Sequence, residues 1–360
     1  MLLFLADIFL TILYARAGTG LLAPGWNRSV WAVLRAMAGR TRSRHGTILS
    51  YAGPLIVVSL IAFWSFGLTL GAALMIHPEL GGAIRPSSGE ASTDMVTALL
   101  VAGNSLSIVG GGDYAPHSTG MRLLFLTNSL VGASVLSLVL SYLVQVYAAL
   151  RERNALALSI DLMTDGTGDA SEMLARLLPG GEASDATSEL GDLVPSLAAV
   201  KEAHHFYPLL FYFHFRDPLY SVSRIGFVIL DLTALIEHAL DRRRYETVAD
   251  SAAVAALRRG AMLLLGTVER HFPTVEAGLP DAAQTWRVRK SFALAVERLA
   301  RSRIAVWDDG AASYQVDRGA WEPLTRSIAP AVGYDFDDID KRYIGDPACT
   351  RPDATRRCLR

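Results

Sequence analysis

Cysteine is nearly missing from this chain: Cys349 and Cys358 are the only two among 360 residues, both close to the C-terminus. Two tail thiols build no disulfide framework, and no C-x-x-C spacing offers a zinc site. Lysine is missing from residues 1–150, acidic residues from 16–50, and charge of either sign from 54–76. Catalytic signatures are missing too. No G-x-G-x-x-G follows a strand, and there is no P-loop, nucleophile elbow or zincin motif. His204, His205, His214 and His238 show no H-x-x-x-H or H-E-x-x-H spacing, so they read as core or surface residues rather than metal ligands. The expectation is therefore a protein that is not an enzyme, with no catalytic residue, no metal and no cofactor. No helix with arginine at every third position precedes the first long apolar run, which excludes a voltage sensor.

Charge is unevenly spread. Residues 1–150 carry eight arginines against five acids, a net +3, and residues 151–360 carry 26 basic against 30 acidic residues, a net −4. Neither part is basic enough for nucleic-acid binding. The apolar start has no basic region before it and no small-residue cleavage site after it, so it is not expected to be a cleaved signal.

Hydrophobicity is what the chain has in excess, at 51% of residues. Residues 2–15 are apolar apart from Asp7 and Thr11. This stretch is shorter than the ~20 residues that cross a bilayer straight. Two readings stay open: an interfacial helix, or a short embedded helix with Asp7 facing protein. Residues 16–50 follow with six arginines and with Trp26 and Trp31. A basic, tryptophan-bearing stretch beside a span reads as a cytoplasmic juxtamembrane segment against anionic lipid. Pro54–Ile76 and Met121–Ala149 are long enough to span, and the flanking arginines place both outer ends of this hairpin in the cytoplasm. Residues 77–94, rich in Gly, Pro and Ser, form the external link. Residues 151–360 read as soluble and helical, with helices expected near 221–240, 249–272 and 281–304. The aromatic run His205–Phe215 fits a domain core or a subunit interface better than a ligand cage. Asp335, Asp337, Asp338 and Asp340 lack the glycine and closing glutamate of a calcium loop and read as a solvated acidic turn. Arg242, Arg243 and Arg244 read as a basic helix end or as a contact to lipid headgroups.

Between the two long apolar runs lies Thr93–Tyr114, TDMVTALLVAGNSLSIVGGGDY. A helix capped by Thr93 and ending near Leu106 is too short to span, and its C-terminal dipole favours a cation. The glycines after it permit an extended return whose carbonyls can replace water around an ion. Backbone of that kind survives at membrane depth only where it lines a polar cavity.

The string Ser107-Ile108-Val109-Gly110-Gly111-Gly112-Asp113 resembles the T-T-V-G-Y-G-D filter signature of the potassium-channel superfamily. Pro116 completes a G-D-x-x-P pattern, Gly120-Met121-Arg122 resembles the entry to the inner helix, and Gly132 stands where many members carry a hinge glycine. The resemblance covers roughly residues 50–150. It implies an all-α membrane protein: a two-span pore hairpin with a re-entrant pore loop, plus a helical cytoplasmic domain. The implied division is 1–48 for the N-terminal hydrophobic helix and basic segment, 49–150 for the pore domain and 151–360 for the cytoplasmic domain. With one pore loop per chain, the resemblance implies a homotetrameric cation channel. It would sit multi-pass in the cell (inner) membrane with its C-terminal domain in the cytoplasm. Its partners would be copies of itself and membrane lipids, with room on the cytoplasmic domain for a ligand the sequence does not identify. Residues 107–113 would be the filter, passing K⁺ or another monovalent cation, and the inner helix would bend at Gly132. Two departures matter. Ile108 replaces the threonine before valine and removes a hydroxyl ring. Gly111 replaces the aromatic between the glycines and removes the side chain that packs behind the filter. Both weaken the expectation of strict K⁺ over Na⁺ discrimination. They also favour an alternative, a non-conducting membrane scaffold or sensor that retains the pore fold.

Overall fold

The computed structural model describes residues 1–14, 20–40, 45–107, 112–272 and 282–342. These are helical almost throughout, and they divide into two compact units: residues 1–33 with 54–148, and residues 34–53 with 149–360.

In the first unit, α1 (Leu2–Ile8) continues through Phe9–Leu13 as a wider π-helical turn. Asp7 is completely buried. Its carboxyl accepts hydrogen bonds from the backbone N–H groups of Leu22 (2.7 Å) and Ala23 (3.2 Å) and from the Trp64 indole (2.7 Å). Leu22 and Ala23 lie at the start of α2 (Ala23–Arg40), so Asp7 caps that helix from a distance in sequence. Of the two readings of residues 2–15, the one with Asp7 facing protein matches this contact. After α3 (His45–Ser50) comes α4 (Ala52–Ile76), uniformly apolar and long enough to cross a bilayer. A two-stranded pair, β1 (Ile84–Pro86) with β2 (Tyr114–Pro116), runs antiparallel with Arg85 opposite Ala115. Between these strands lies the short apolar helix α5 (Met95–Leu106). Ala98, Val101 and Ala102 of α5 are buried in one cluster with Ala72, Ala73 and Ile76 of α4.

The next helix, α6 (Thr119–Met163), runs 45 residues without a break. At 1.5 Å per residue it is about 67 Å long, more than twice a ~30 Å hydrocarbon core. The boundary between the two units falls inside it, after Ala148.

The second unit adds α7 (Ala170–Leu177), α8 (Ala186–Phe206), α9 (Val222–His238), α10 (Arg242–Ala249), α11 (Ala252–His271), α12 (Ala282–Arg301), α13 (Ala311–Ala331) and α14 (Phe336–Ile339). Every residue of α9 from Val222 to Ile236 is buried, which makes it the central helix, packed by α7, α11 and α13, with α8 against α11. The basic segment departs from the three-part division: residues 34–53 pack with 149–360. The reason is apolar contact, since Leu49 is fully buried against Gly333 and Phe213 lies against Gly53.

Two charged stretches also differ from expectation. Arg242–Arg244 begin a helix rather than end one, with Asp241 capping it. Asp340 is no solvated turn residue. It is buried and accepts from Arg318 Nη2 at 2.5 Å, within a network of four buried carboxylates (Asp169, Asp231, Glu322, Asp340) around Arg318 and Arg342. Tyr314 donates to Asp231 at 2.5 Å, and Ser291 accepts from both arginines. Burial pushes Asp169 and Glu322 up, but the Arg342 and Arg318 guanidinium groups outweigh it and hold both below their ordinary range.

Candidate functional site

The site begins at the N-terminus of α5. The cap is Asp94 rather than Thr93: its backbone is extended, and its side chain accepts the Thr97 N–H at 2.8 Å. The hydroxyls of Ser92 and Thr97 also donate to it. The Ser92 bond first, then those from Thr97, hold this carboxyl well below the usual carboxylate range. A carboxylate here complements the positive end of the helix, and the negative end points at Ser107. Asp113 is exposed. Its carbonyl accepts from the Ser87 hydroxyl at 3.0 Å, and Tyr114 reaches the backbone of Ser92 through its phenol. With the β1–β2 pair, these bonds tie the chain after residue 112 back to the segment before α5. Within residues 77–120, Glu79, Glu90, Asp94 and Asp113 face Arg85 as the one arginine, a field that concentrates cations.

Of the filter residues expected from sequence, Ser107 follows the C-terminal end of α5, Gly112 lies against Asn104 and Asp113 is bonded to Ser87, while Ile108, Val109, Gly110 and Gly111 lie outside the described residues. Ser107 donates its N–H to Gly103 O at 2.9 Å. Gly112 has φ 153°, a region side chains rarely adopt, and a Cβ there would come within 2.7 Å of Asn104 Nδ2. A cleft of about 510 Å³ opens beside these residues, lined by Leu100, Asn104, Ser107, Gly112, Phe125 and Ser129 among others.

Gly132 stands where α6 meets the end of α5. A Cβ at this position would lie 1.8 Å from Leu106 O, so only glycine permits the approach. The helix is unbroken through it. Sequence reasoning missed Asn128, fully buried one turn earlier, which donates from Nδ2 to Ser105 Oγ at 2.9 Å. A polar residue inside a long apolar helix was the available signal.

In the second unit, Glu237, His238 and Asp317 converge closely enough to suggest metal ligands. Arg258 occupies them instead, donating to Asp317 Oδ2 at 2.8 Å, with its Nη1 3.8 Å from Glu237. Burial pushes Asp317 up, but hydrogen bonds from His238 and Arg258 prevail and hold it at about 2. A guanidinium already on the carboxylates repels a cation, so this cluster is an ion-pair site.

Two further residues shape the start of this unit. Arg153, buried on α6, donates to Leu210 O (3.0 Å) and Phe213 O (3.1 Å), fixing the aromatic run. His204 is buried beside Phe211, with Nδ1 at 2.8 Å from Val200 O.

Comparison with known proteins supplies a coarse placement. The chain is 23% identical over 233 residues to the uncharacterized membrane protein YdjJ of Bacillus subtilis, covering 62% of this chain and 63% of that protein. It therefore spans less than two thirds of that relative's length. No family model and no solved structure matches the chain. With two apolar helices of spanning length and a relative named as a membrane protein, the chain is a mostly helical membrane protein.

Proposed function

We propose that this protein is a homotetrameric cation channel built on a re-entrant pore loop. One observation carries the reading. A short capped helix, Met95–Leu106, lies between two apolar helices of spanning length and ends where the string Ser107–Asp113 begins. The dipole at that end favours a cation, and carbonyls after it would replace its water. Four copies would be needed to close a filter, because each chain has one such loop. The cytoplasmic placement of residues 151–360, and a ligand acting there, belong to the same proposal. Purified protein in liposomes, assayed for K⁺, Na⁺ and Cl⁻ flux, tests it. Cation flux is expected. Anion-selective flux, or none in sealed vesicles, sinks the proposal.

A second reading, a non-conducting membrane scaffold or sensor, is favoured by Ile108 and Gly111, which depart from the filter signature. The double substitution Ile108→Thr with Gly111→Tyr separates the two. K⁺ flux that emerges only in the double variant assigns the native chain to the scaffold reading.

A further inference from the structure

The second unit holds a cavity of about 330 Å³ lined by Arg35, His214, Arg216, Tyr334, Asp335 and Asp338 among others. Its aromatic wall is preformed. His214 and Tyr334 are buried with ring centroids 4.3 Å apart, and the Tyr334 phenol donates to Phe215 O and accepts from Phe215 N, both at 3.0 Å. Its rim is charged. Arg35, Arg216 and Asp335 are exposed and Asp338 is half-buried. No hydrogen bond or ion pair ties any of these four side chains to another described residue. Asp335 is the N-cap residue of α14, yet its side chain makes no cap bond. Asp338 also feels Arg224, but that guanidinium already pairs with Asp161 at 3.3 Å. Two guanidinium groups and two carboxylates that line one cavity without pairing match a ligand that carries both signs. A plain anion would leave the carboxylates unmatched, and a plain cation the guanidinium groups.

The chain itself sets the depth of this cavity. Gly46 lines it from α3, just before α4 begins at Ala52. Gly333, at φ 91°, closes it on Leu49: a Cβ there would come within 2.8 Å of Leu49 Cδ1 and 3.2 Å of His214 Nδ1. Phe213, the neighbour of His214, lies on Gly53 in the first turn of α4. The cavity is thus built on the start of a helix long enough to cross a bilayer, which is the depth of lipid headgroups. We propose that it binds the phosphoethanolamine headgroup of a phospholipid. Arg35 and Arg216 take the phosphate oxygens, which the guanidinium fork suits. Asp335 and Asp338 accept from the ammonium, which has three N–H donors. A trimethylammonium has none, so phosphatidylcholine is disfavoured, and phosphatidylglycerol brings no cation to the carboxylates. Such a site gives a chemistry to the ligand of the second unit. It requires α4 to cross a membrane, whether or not the chain conducts.

The test is lipid retention by the full chain in detergent, read by native mass spectrometry. Phosphatidylethanolamine, phosphatidylcholine and phosphatidylglycerol of one acyl length are titrated in turn. Lipid that merely coats apolar helices is retained alike by wild type and variants, so the difference between them reports the cavity. Wild type is expected to favour phosphatidylethanolamine over the other two. Arg35→Ala and Arg216→Ala are each expected to weaken its binding at least about tenfold, through loss of a charge-assisted phosphate bond. Asp335→Asn with Asp338→Asn is expected to keep the phosphate and bring the preference over phosphatidylcholine close to one. Should an arginine variant fail to assemble in size-exclusion, Asp335→Asn alone reads the ammonium half, since that side chain caps nothing. Free phosphoethanolamine, titrated by calorimetry, is expected to bind at least about tenfold more weakly than the lipid, because it lacks the acyl chains. Equal affinity overturns the lipid as occupant and assigns the cavity to the soluble ester. Retention that none of these substitutions changes, or phosphatidylcholine held by wild type as tightly as phosphatidylethanolamine, overturns the site. A chain that binds the lipid and passes no ions sinks the channel reading alone, and a conducting chain with no lipid preference sinks this site alone.

Discussion

Gly132 and His204 show how a single residue acts through what surrounds it. Gly132 is pressed on a carbonyl, so Gly132→Ala drives a methyl group into Leu106 O. The expected cost is about 1–3 kcal/mol from overpacking, read as a lowered melting midpoint and loss of assembled protein in detergent. A role in helix bending alone predicts an unchanged melt and altered opening. His204 is held down to about 3, first by burial and then by the Arg153 guanidinium. The unfolded chain takes up a proton near 6.5, whereas the folded chain resists until about 3. Stability from this residue is thus complete above pH ~6.5 and falls with acidity at up to about 1.4 kcal/mol per pH unit. Denaturant midpoints at pH 7.5 and 5.5 check this. Wild type should lose roughly that amount over the unit below its unfolded pKa, and His204→Phe should lose much less. Equal losses in both proteins would remove His204 from the account.

The elements were unequally legible. The apolar runs of α4 and α6 announce themselves because a bilayer demands a minimum length, and α5 stands out by failing it. Strands β1 and β2, at three residues each, are too short for any periodicity to register. The full reach of α6 was also hidden. Its sequence turns polar after Ala149, so the span can be read but not the helix that continues to Met163. Of the site, the string 107–113 could be read directly. Asn128 with Ser105 could not, because their meeting depends on packing between helices 23 residues apart. For α5, the cap is separable from the charge. On the proposed channel reading, Asp94→Asn keeps a side-chain acceptor for the Thr97 N–H but loses the charge at the helix start, so the melting midpoint should fall less than in Asp94→Ala while conductance at low ionic strength falls. Asp94→Ala should lower both. Conductance of Asp94→Asn equal to that of wild type would show that the charge at this position is unimportant for conduction.

Across a whole unit, the buried network is what sequence reasoning handled worst. A charged residue in a polar stretch reads as surface, and Asp340 and Arg342 lie in such a stretch. Yet Arg342 joins Asp169, at the start of α7, to Asp231 in the middle of α9, a separation of 111 to 173 residues in sequence. Arg342→Met takes one cation from two buried carboxylates, leaving Asp231 to Arg318 and Tyr314 and Asp169 to Arg298, and should cost about 3 kcal/mol in a denaturant melt. Adding Asp231→Asn should recover part of that loss, because one of the two charges is removed. Strictly additive losses would disprove the coupling. The first unit holds a comparable long-range contact at Asp7, and there it bears on how the protein is made. A carboxyl-bearing stretch this short is a poor candidate to enter a bilayer unaided, since an acidic residue at a helix centre costs roughly 2.5–3.5 kcal/mol on insertion. Its Trp64 partner is synthesised 57 residues later. On the reading of α1 as an embedded helix, the order of biosynthesis differs from the order of insertion, and α1 is expected to wait at the membrane surface until α4 arrives. Nascent chains arrested before Trp64 should release the N-terminal segment to alkaline extraction, and chains arrested after Ile76 should retain it.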